Sequence, residues 1–149
     1  MLRKEYLMEK KINAMLSDLV VFYHKLQCYH WYVKGNDFFV IHTTLQKCYE
    51  EVKKQLDELA ESALMIGYSP VATMKDFTKM ASIKEGKAGF VNSKDIIKDI
   101  LADYQHLLEA TEDLKKEAEE NEVYLISVLT DEFISCYHKK IWMLSQSQM

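Results

Sequence analysis

Apolar residues recur at intervals of three and four along most of this chain. The four series with this spacing cover about residues 4–33, 38–66, 92–118 and 124–144. Because an α-helix makes one turn in about 3.6 residues, the spacing lines one side of a helix with apolar side chains. The pattern therefore predicts four long amphipathic helices, each with one buried face.

The segments between these series carry residues that begin and end helices. Lys34-Gly35-Asn36-Asp37 predicts a turn in which the glycine ends the first helix and the Asn or Asp caps the second. Residues 71–91 form one long connection, and 73–80 within it predicts a short helix capped by Thr73. Four helices with a single long middle connection are the ferritin-like form of the four-helix bundle. We therefore predict an all-α fold with one domain over residues 1–149.

Composition agrees with long helices and narrows the possible partners. The chain is 48% hydrophobic and has 4 glycines and 1 proline, which argues against a disordered protein and against a many-stranded β-sandwich. Its net charge is -4, and Arg3 is its only arginine. Paired hydrogen bonds from arginine to phosphates or base edges are therefore nearly absent, which argues against nucleic acid as the main partner.

Hydropathy and cysteine spacing bear on the compartment. No uninterrupted apolar run approaches the ~20 residues that cross a bilayer, and the charged start of the chain leads into no signal-peptide core. The widely spaced Cys28, Cys48 and Cys136 suggest reduced thiols and no disulfide framework. We expect a cytoplasmic protein without a membrane partner.

The second helix carries a polar face that we call the α2 stripe. Its members follow one another in steps of four, four, three, four and four, so they share one side of the helix. They are His42, Gln46, Glu50, Lys53, Asp57 and Glu61. His30 lies on the apolar face of the first helix, where a polar side chain is costly unless something pairs with it. Imidazoles and carboxylates together suit Fe(II), and also zinc or manganese.

The common ferritin-like di-iron site inside the bundle is disfavoured. That site uses Glu-x-x-His motifs on two helices, and no glutamate of this chain has a histidine three residues later. The α2 stripe offers a different arrangement because it is symmetrical about the midpoint between residues 51 and 52. If two copies of this helix packed antiparallel, His42 would face Glu61 of the partner and Gln46 would face Asp57, while the central Glu50 and Lys53 would pair.

An isologous contact of this kind creates two equivalent sites per dimer, and His30 could complete each of them. Spacing alone also allows a simpler interpretation. The carboxylates and His42 would then form a solvated helix face, as charges four residues apart often do, and His30 would be a satisfied core histidine.

The chain resembles the Dps family, the mini-ferritins, over nearly its whole length. Three stretches carry the resemblance. They are His30-Trp31-Tyr32-Val33-Lys34-Gly35 continuing to His42, then Asp57-Glu58-Leu59-Ala60-Glu61, then residues 69–77. The resemblance implies a shell of twelve subunits, built from two-fold dimers, with ferroxidase centres at the dimer interface. One subunit would supply His30 and His42, and its partner would supply Asp57 and Glu61. Trp31 would lie beside the iron and act as an electron source.

The same resemblance implies a reaction. Such proteins oxidise Fe(II), usually with hydrogen peroxide in preference to dioxygen, and store the ferric product as mineral in the cavity. This is an enzymatic ferroxidase activity that serves iron homeostasis and protects against oxidative stress.

The chain departs from the family pattern at two places that bear on function. Gln46 stands where the family usually has an acidic residue, and a neutral amide oxygen binds a hard cation more weakly. A lysine-rich N-terminal extension, which some members use to bind DNA, is not matched at the start of this chain, so we expect weak or no DNA binding. Two alternatives stay open: a shell with little or no ferroxidase activity, and a nucleoid protein that acts by binding DNA.

Overall fold

Four long helices and one short helix make up most of the computed structural model, which describes residues 2–148; Met1 and Met149 lie outside it. The helices are α1 (Leu2–Tyr32), α2 (Phe38–Met65), α3 (Met74–Met80), α4 (Ser93–Glu120) and α5 (Tyr124–Gln146). The predicted all-α bundle, with its short helix in the long middle connection, is confirmed. Of the helices described, none is long and apolar enough to cross a membrane.

Side chains at the helix starts account for two of the predicted boundaries. Thr73 accepts a hydrogen bond from the backbone N–H of Asp76 at 3.2 Å, which caps α3 as predicted. Asn92 caps α4 in the same way. Asp37 is the N-cap residue of α2, as predicted, but its side chain makes no capping hydrogen bond. Its carboxylate instead accepts a hydrogen bond from the Ser93 hydroxyl at 2.5 Å, which ties the start of α2 to the start of α4.

Two short strands pair the start of the turn between α1 and α2 with the end of the long middle connection. β1 (Val33–Lys34) follows α1 directly, and β2 (Val91–Asn92) precedes α4. They pair in parallel, with Val33 opposite Val91. The sequence did not predict this pairing, because two residues are too few to show the alternation of a strand. The pairing fixes the turn that carries the chain from α1 into α2.

The core is formed by the apolar faces of the four long helices. The predicted core positions of the first apolar series are all buried: Met8, Ile12, Met15, Leu19, Phe22 and Leu26 in α1, and Val33 in β1. One predicted core position in α5 is wrong. Leu125 is exposed and Ile126 is fully buried, because the helix enters the bundle one residue later than the spacing indicated.

Candidate metal site

His30 and His42 form a stacked pair at the junction of α1 and α2. Their ring centroids lie 3.7 Å apart and the ring planes differ by 12°. Phe38 stacks on the other side of this pair, 4.8 Å from the His42 ring. The tight turn between the two helices brings the last residues of α1 beside the first turns of α2. The structure thus joins two of the predicted ligands within one chain.

Reciprocal hydrogen bonds fix the orientation of both imidazoles. Nδ1 of His30 lies 2.7 Å from the backbone carbonyl oxygen of His42, and Nδ1 of His42 lies 2.7 Å from the carbonyl oxygen of His30. A carbonyl oxygen can only accept, so each Nδ1 carries the proton and donates it. In the neutral imidazole the lone pair then lies on Nε2, the usual metal ligand. Each Nε2 is therefore available to coordinate a metal.

Asp57 and Glu61 occupy the far half of α2, on its exposed side. At a rise of ~1.5 Å per residue, they lie about 22 Å and 28 Å along the helix from His42. One chain therefore cannot bring its histidines and these carboxylates to the same metal ion. In agreement, no group of three or more His, Cys, Asp or Glu side chains within residues 2–148 is close enough to hold a metal ion.

Gln46 lies on the α2 stripe one turn beyond His42, and it is exposed. Its side-chain amide donates a hydrogen bond to the Glu50 carboxylate at 3.2 Å. This bond occupies the amide nitrogen and leaves the amide oxygen of Gln46 available as a neutral ligand. It also holds a full negative charge one helical turn from the position where the family usually has its acid.

Two exposed apolar residues extend the α2 stripe at its ends, and the sequence analysis missed both. Phe39 lies three residues before His42 and is 83% exposed, while Leu64 lies three residues after Glu61 and is 62% exposed. They are symmetrical about the same midpoint as the polar members. Large exposed apolar side chains at matched ends of a polar face are typical of a protein interface. The three-residue spacing from Phe39 to His42 could have placed Phe39 on the stripe. The adjacent Phe38 belongs to the core series of α2, so the pair was interpreted as the start of the core face.

Trp31 and Tyr49 differ in how they relate to the histidine pair. Trp31, the predicted electron source, is 54% exposed, and its ring lies 6.2 Å from that of His24 in an edge-on contact. Tyr49 is partly buried, and its ring lies 5.3 Å from that of His30, also edge-on. Tyr49 was not among the predicted site residues. It lies seven residues, or about two helical turns, after His42. It is therefore on the same side of α2 as His42, the side that faces α1.

Comparisons with known proteins agree with the fold. A family model for the ferritin-like domain matches residues 9–147. The chain is 34% identical to the DNA protection during starvation protein of Helicobacter pylori over 133 residues, which are 89% of this chain and 92% of that protein.

Solved structures give the same result. The crystal structure of a Dps protein from Bacillus brevis has a TM-score of 0.92 and 29% identity, and covers 97% of this chain and 96% of its own. A Dps protein from Vibrio cholerae O1, described as a member of a broad superfamily of ferritin-like diiron-carboxylate proteins, has a TM-score of 0.92 and 26% identity, with 97% and 90% covered. This chain therefore belongs to the ferritin-like family and, within it, to the Dps proteins.

Proposed function

We propose that this protein is a ferroxidase that detoxifies and stores iron at sites shared between two subunits. The observation that carries the proposal is the layout of α2. The imidazole of His42 lies at one end of the exposed face of α2, with the buried His30 of α1 stacked on it, and two carboxylates lie at the other end. An antiparallel pairing of two such faces brings the histidines of each subunit to the carboxylates of its partner. The partner's carboxylates supply the negative charge that a pair of neutral imidazoles lacks.

Iron is the substrate that this proposal assigns. Two imidazoles and two carboxylates suit Fe(II), although zinc or manganese could bind the same set. The description of the Vibrio cholerae protein as related to diiron-carboxylate proteins supports iron. Two Fe(II) ions give up two electrons, which with two protons reduce one hydrogen peroxide to two water molecules. No hydroxyl radical is released when both electrons are delivered together, and the name of the Helicobacter pylori relative agrees with such a protective role.

The proposal includes a shell of twelve subunits built from two-fold dimers, with ferric mineral stored in its cavity. Support comes from exposed apolar side chains outside the α2 stripe, which suggest contacts with further subunits. These include Tyr124, Val128 and Trp142. A cytoplasmic location completes the proposal, because all three cysteines are free thiols, as expected in a reducing compartment. The proposal includes at most weak DNA binding, since the chain carries a net charge of -4.

The decisive experiment is anaerobic loading with Fe(II) followed by a pulse of hydrogen peroxide, with ferric absorbance recorded over time. We expect rapid oxidation and consumption of about one peroxide for every two Fe(II). The double variant Asp57→Ala/Glu61→Ala should oxidise iron at least about 100-fold more slowly. Mutation of residues that only hydrogen-bond to metal ligands commonly lowers metal affinity or activity by about 10- to 100-fold, and here the ligands themselves are removed. Glu58→Ala is the matched control and should retain the wild-type rate. Equal traces for the wild type and the double variant would refute the proposal.

A second candidate is a centre that holds one iron firmly and the other weakly. The neutral side chain of Gln46 favours it, because its amide brings no charge to the site and its nitrogen is bonded to the Glu50 carboxylate. A carboxylate at this position would bind a hard cation more tightly than an amide oxygen does.

The substitution Gln46→Glu should therefore tighten the binding of the second Fe(II). In an anaerobic titration, we expect the wild type to give one tight and one weak iron per subunit, and the variant to give two tight ones. Glu50→Gln should weaken the second iron further if the nearby carboxylate compensates for Gln46. Two equally tight irons in the wild type would show that Gln46 is a tolerated variation.

A further inference from the structure

Two tyrosines continue the aromatic contact that begins at the histidine pair. Tyr49 lies edge-on to His30, with ring centroids 5.3 Å apart and ring planes 78° apart. Tyr23 lies edge-on to Tyr49 in turn, at 5.8 Å and 88°. Both tyrosines are partly buried and pack against the core between α1 and α2. A chain of three rings thus leads from a candidate iron ligand along the seam between these helices.

Trp31 has a different position. It follows His30 in the chain, but its indole is more than half exposed and its edge-on contact is with His24. A radical formed on an exposed ring is open to reaction with solvent and solutes. A radical formed on Tyr49 would lie at a partly buried ring in contact with the ligand itself. Within a single subunit, Tyr49 therefore has the more direct contact with the iron that His30 would hold.

The weak second iron position creates a need for an additional electron. Reduction of hydrogen peroxide to water takes two electrons, and a centre holding a single Fe(II) supplies only one. Delivery of one electron alone would release a hydroxyl radical. Because the amide of Gln46 lowers the affinity for the second iron, centres with a single iron should be common during turnover.

We infer that Tyr49 donates the second electron in such centres and that Tyr23 shares the resulting radical. Fe(II) and Tyr49 give one electron each, the phenol gives one proton, and the solvent gives another. The products are Fe(III), a tyrosyl radical and two water molecules. Tyr23 can then pass an electron to Tyr49 and carry the radical itself; Tyr49 takes up a proton from the solvent and Tyr23 releases one to it. A second Fe(II) that arrives later returns one electron, which with one proton restores the phenol. This inference rests on the proposed ferroxidase function and on the second candidate, in which the second iron binds weakly.

The test is freeze-quench electron paramagnetic resonance on protein loaded with one Fe(II) per subunit and mixed with hydrogen peroxide. We expect a tyrosyl signal in the wild type that is lost in Tyr49→Phe, a change that keeps the ring and its packing. Tyr23→Phe should keep a tyrosyl signal with altered line shape and a shorter lifetime. Tyr32→Phe is the matched control, because Tyr32 contacts Phe90 on the protein surface and should leave the signal unchanged.

Two further readouts separate the inference from the proposed function. Ferric absorbance on the same samples reports iron oxidation, and a spin trap reports hydroxyl radical, which should increase in Tyr49→Phe. If the wild type does not oxidise Fe(II), the proposed function fails. If it does, and Tyr49→Phe gives the same radical signal and the same trapped hydroxyl radical as the wild type, the inference alone is overturned. A signal that disappears only in Trp31→Phe would overturn it as well.

Discussion

Subunits that lack the two histidines and subunits that lack the two carboxylates should restore each other's ferroxidase activity when they assemble together. The two variants are His30→Ala/His42→Ala and Asp57→Ala/Glu61→Ala, and each alone should be inactive. The reason is the length of α2, which holds His42 and Asp57 about 22 Å apart in one chain. Only a site shared between two chains can take its histidines from one variant and its carboxylates from the other.

The symmetry of the contact sets the size of the recovery. In a mixed two-fold dimer, one site receives both defects and the other receives none. If equal amounts of the variants pair at random, half of the dimers are mixed, so about a quarter of all sites should be intact. Co-expression with two different affinity tags and purification through both would select mixed assemblies. Iron oxidation after a peroxide pulse then measures the recovery.

A control mixture separates shared sites from partial misfolding of the variants. A quadruple variant that carries all four substitutions in one chain is mixed with wild type, so that each mixed dimer lacks the histidines at one site and the carboxylates at the other. In its mixed dimers neither site is intact, so activity should come from wild-type pairs alone, about a quarter of all dimers, whereas sites contained in single chains would leave about half of the sites intact. Failure of the two complementary variants to exceed their separate activities, in assemblies of normal size, would rule out the shared site.

The fold was predictable because helices of this length repeat their apolar spacing many times. Each of the four long helices shows its series over about six turns or more, so an error at one position such as Leu125 does not alter the prediction. Short elements lack this redundancy. The pairing of Val33 with Val91 depends on two residues that lie 58 positions apart, and no local pattern marks it. The carboxylate of Asp37 was predicted to cap α2. It instead accepts a hydrogen bond from the hydroxyl of Ser93 at the start of α4, a contact that no local pattern indicates.

The candidate site could be predicted only as a set of residue types on one helix face. Spacing placed His42 with Asp57 and Glu61 on the α2 stripe, and the structure confirms that the carboxylates are exposed there. The reciprocal hydrogen bonds that orient His30 and His42 depend on the path of the turn, which spacing does not specify. Tyr49 was missed for a related reason. Its importance comes from contact with His30 across two helices, while its own sequence neighbours give no sign of it.

Replacing Phe39 with aspartate should separate the two-fold dimer and abolish iron oxidation, although no metal ligand is changed. Phe39 is 83% exposed in the single chain, and the symmetry of the α2 stripe places it opposite Leu64 of a partner. Burial of a phenylalanine contributes about 2 kcal/mol, and a two-fold contact contains the pair twice. Phe39→Asp removes both contributions and leaves two unpaired charges at the interface. Analytical ultracentrifugation and ferric absorbance would measure the two losses.

A second substitution, Leu64→Lys, should reverse the loss of assembly caused by Phe39→Asp. Phe39→Asp combined with Leu64→Lys places opposite charges where the symmetry places the two residues in contact, so assembly and iron oxidation should both return. Along α2 the two positions lie about 38 Å apart, so the rescue cannot arise within one chain. Val40→Asp is the control, because Val40 is exposed but turned about 100° from Phe39 around the helix, and it should stay at least dimeric. If Phe39→Asp remains a dimer, or if Leu64→Lys fails to rescue it, the antiparallel register is wrong and the histidines must find their carboxylates by another contact.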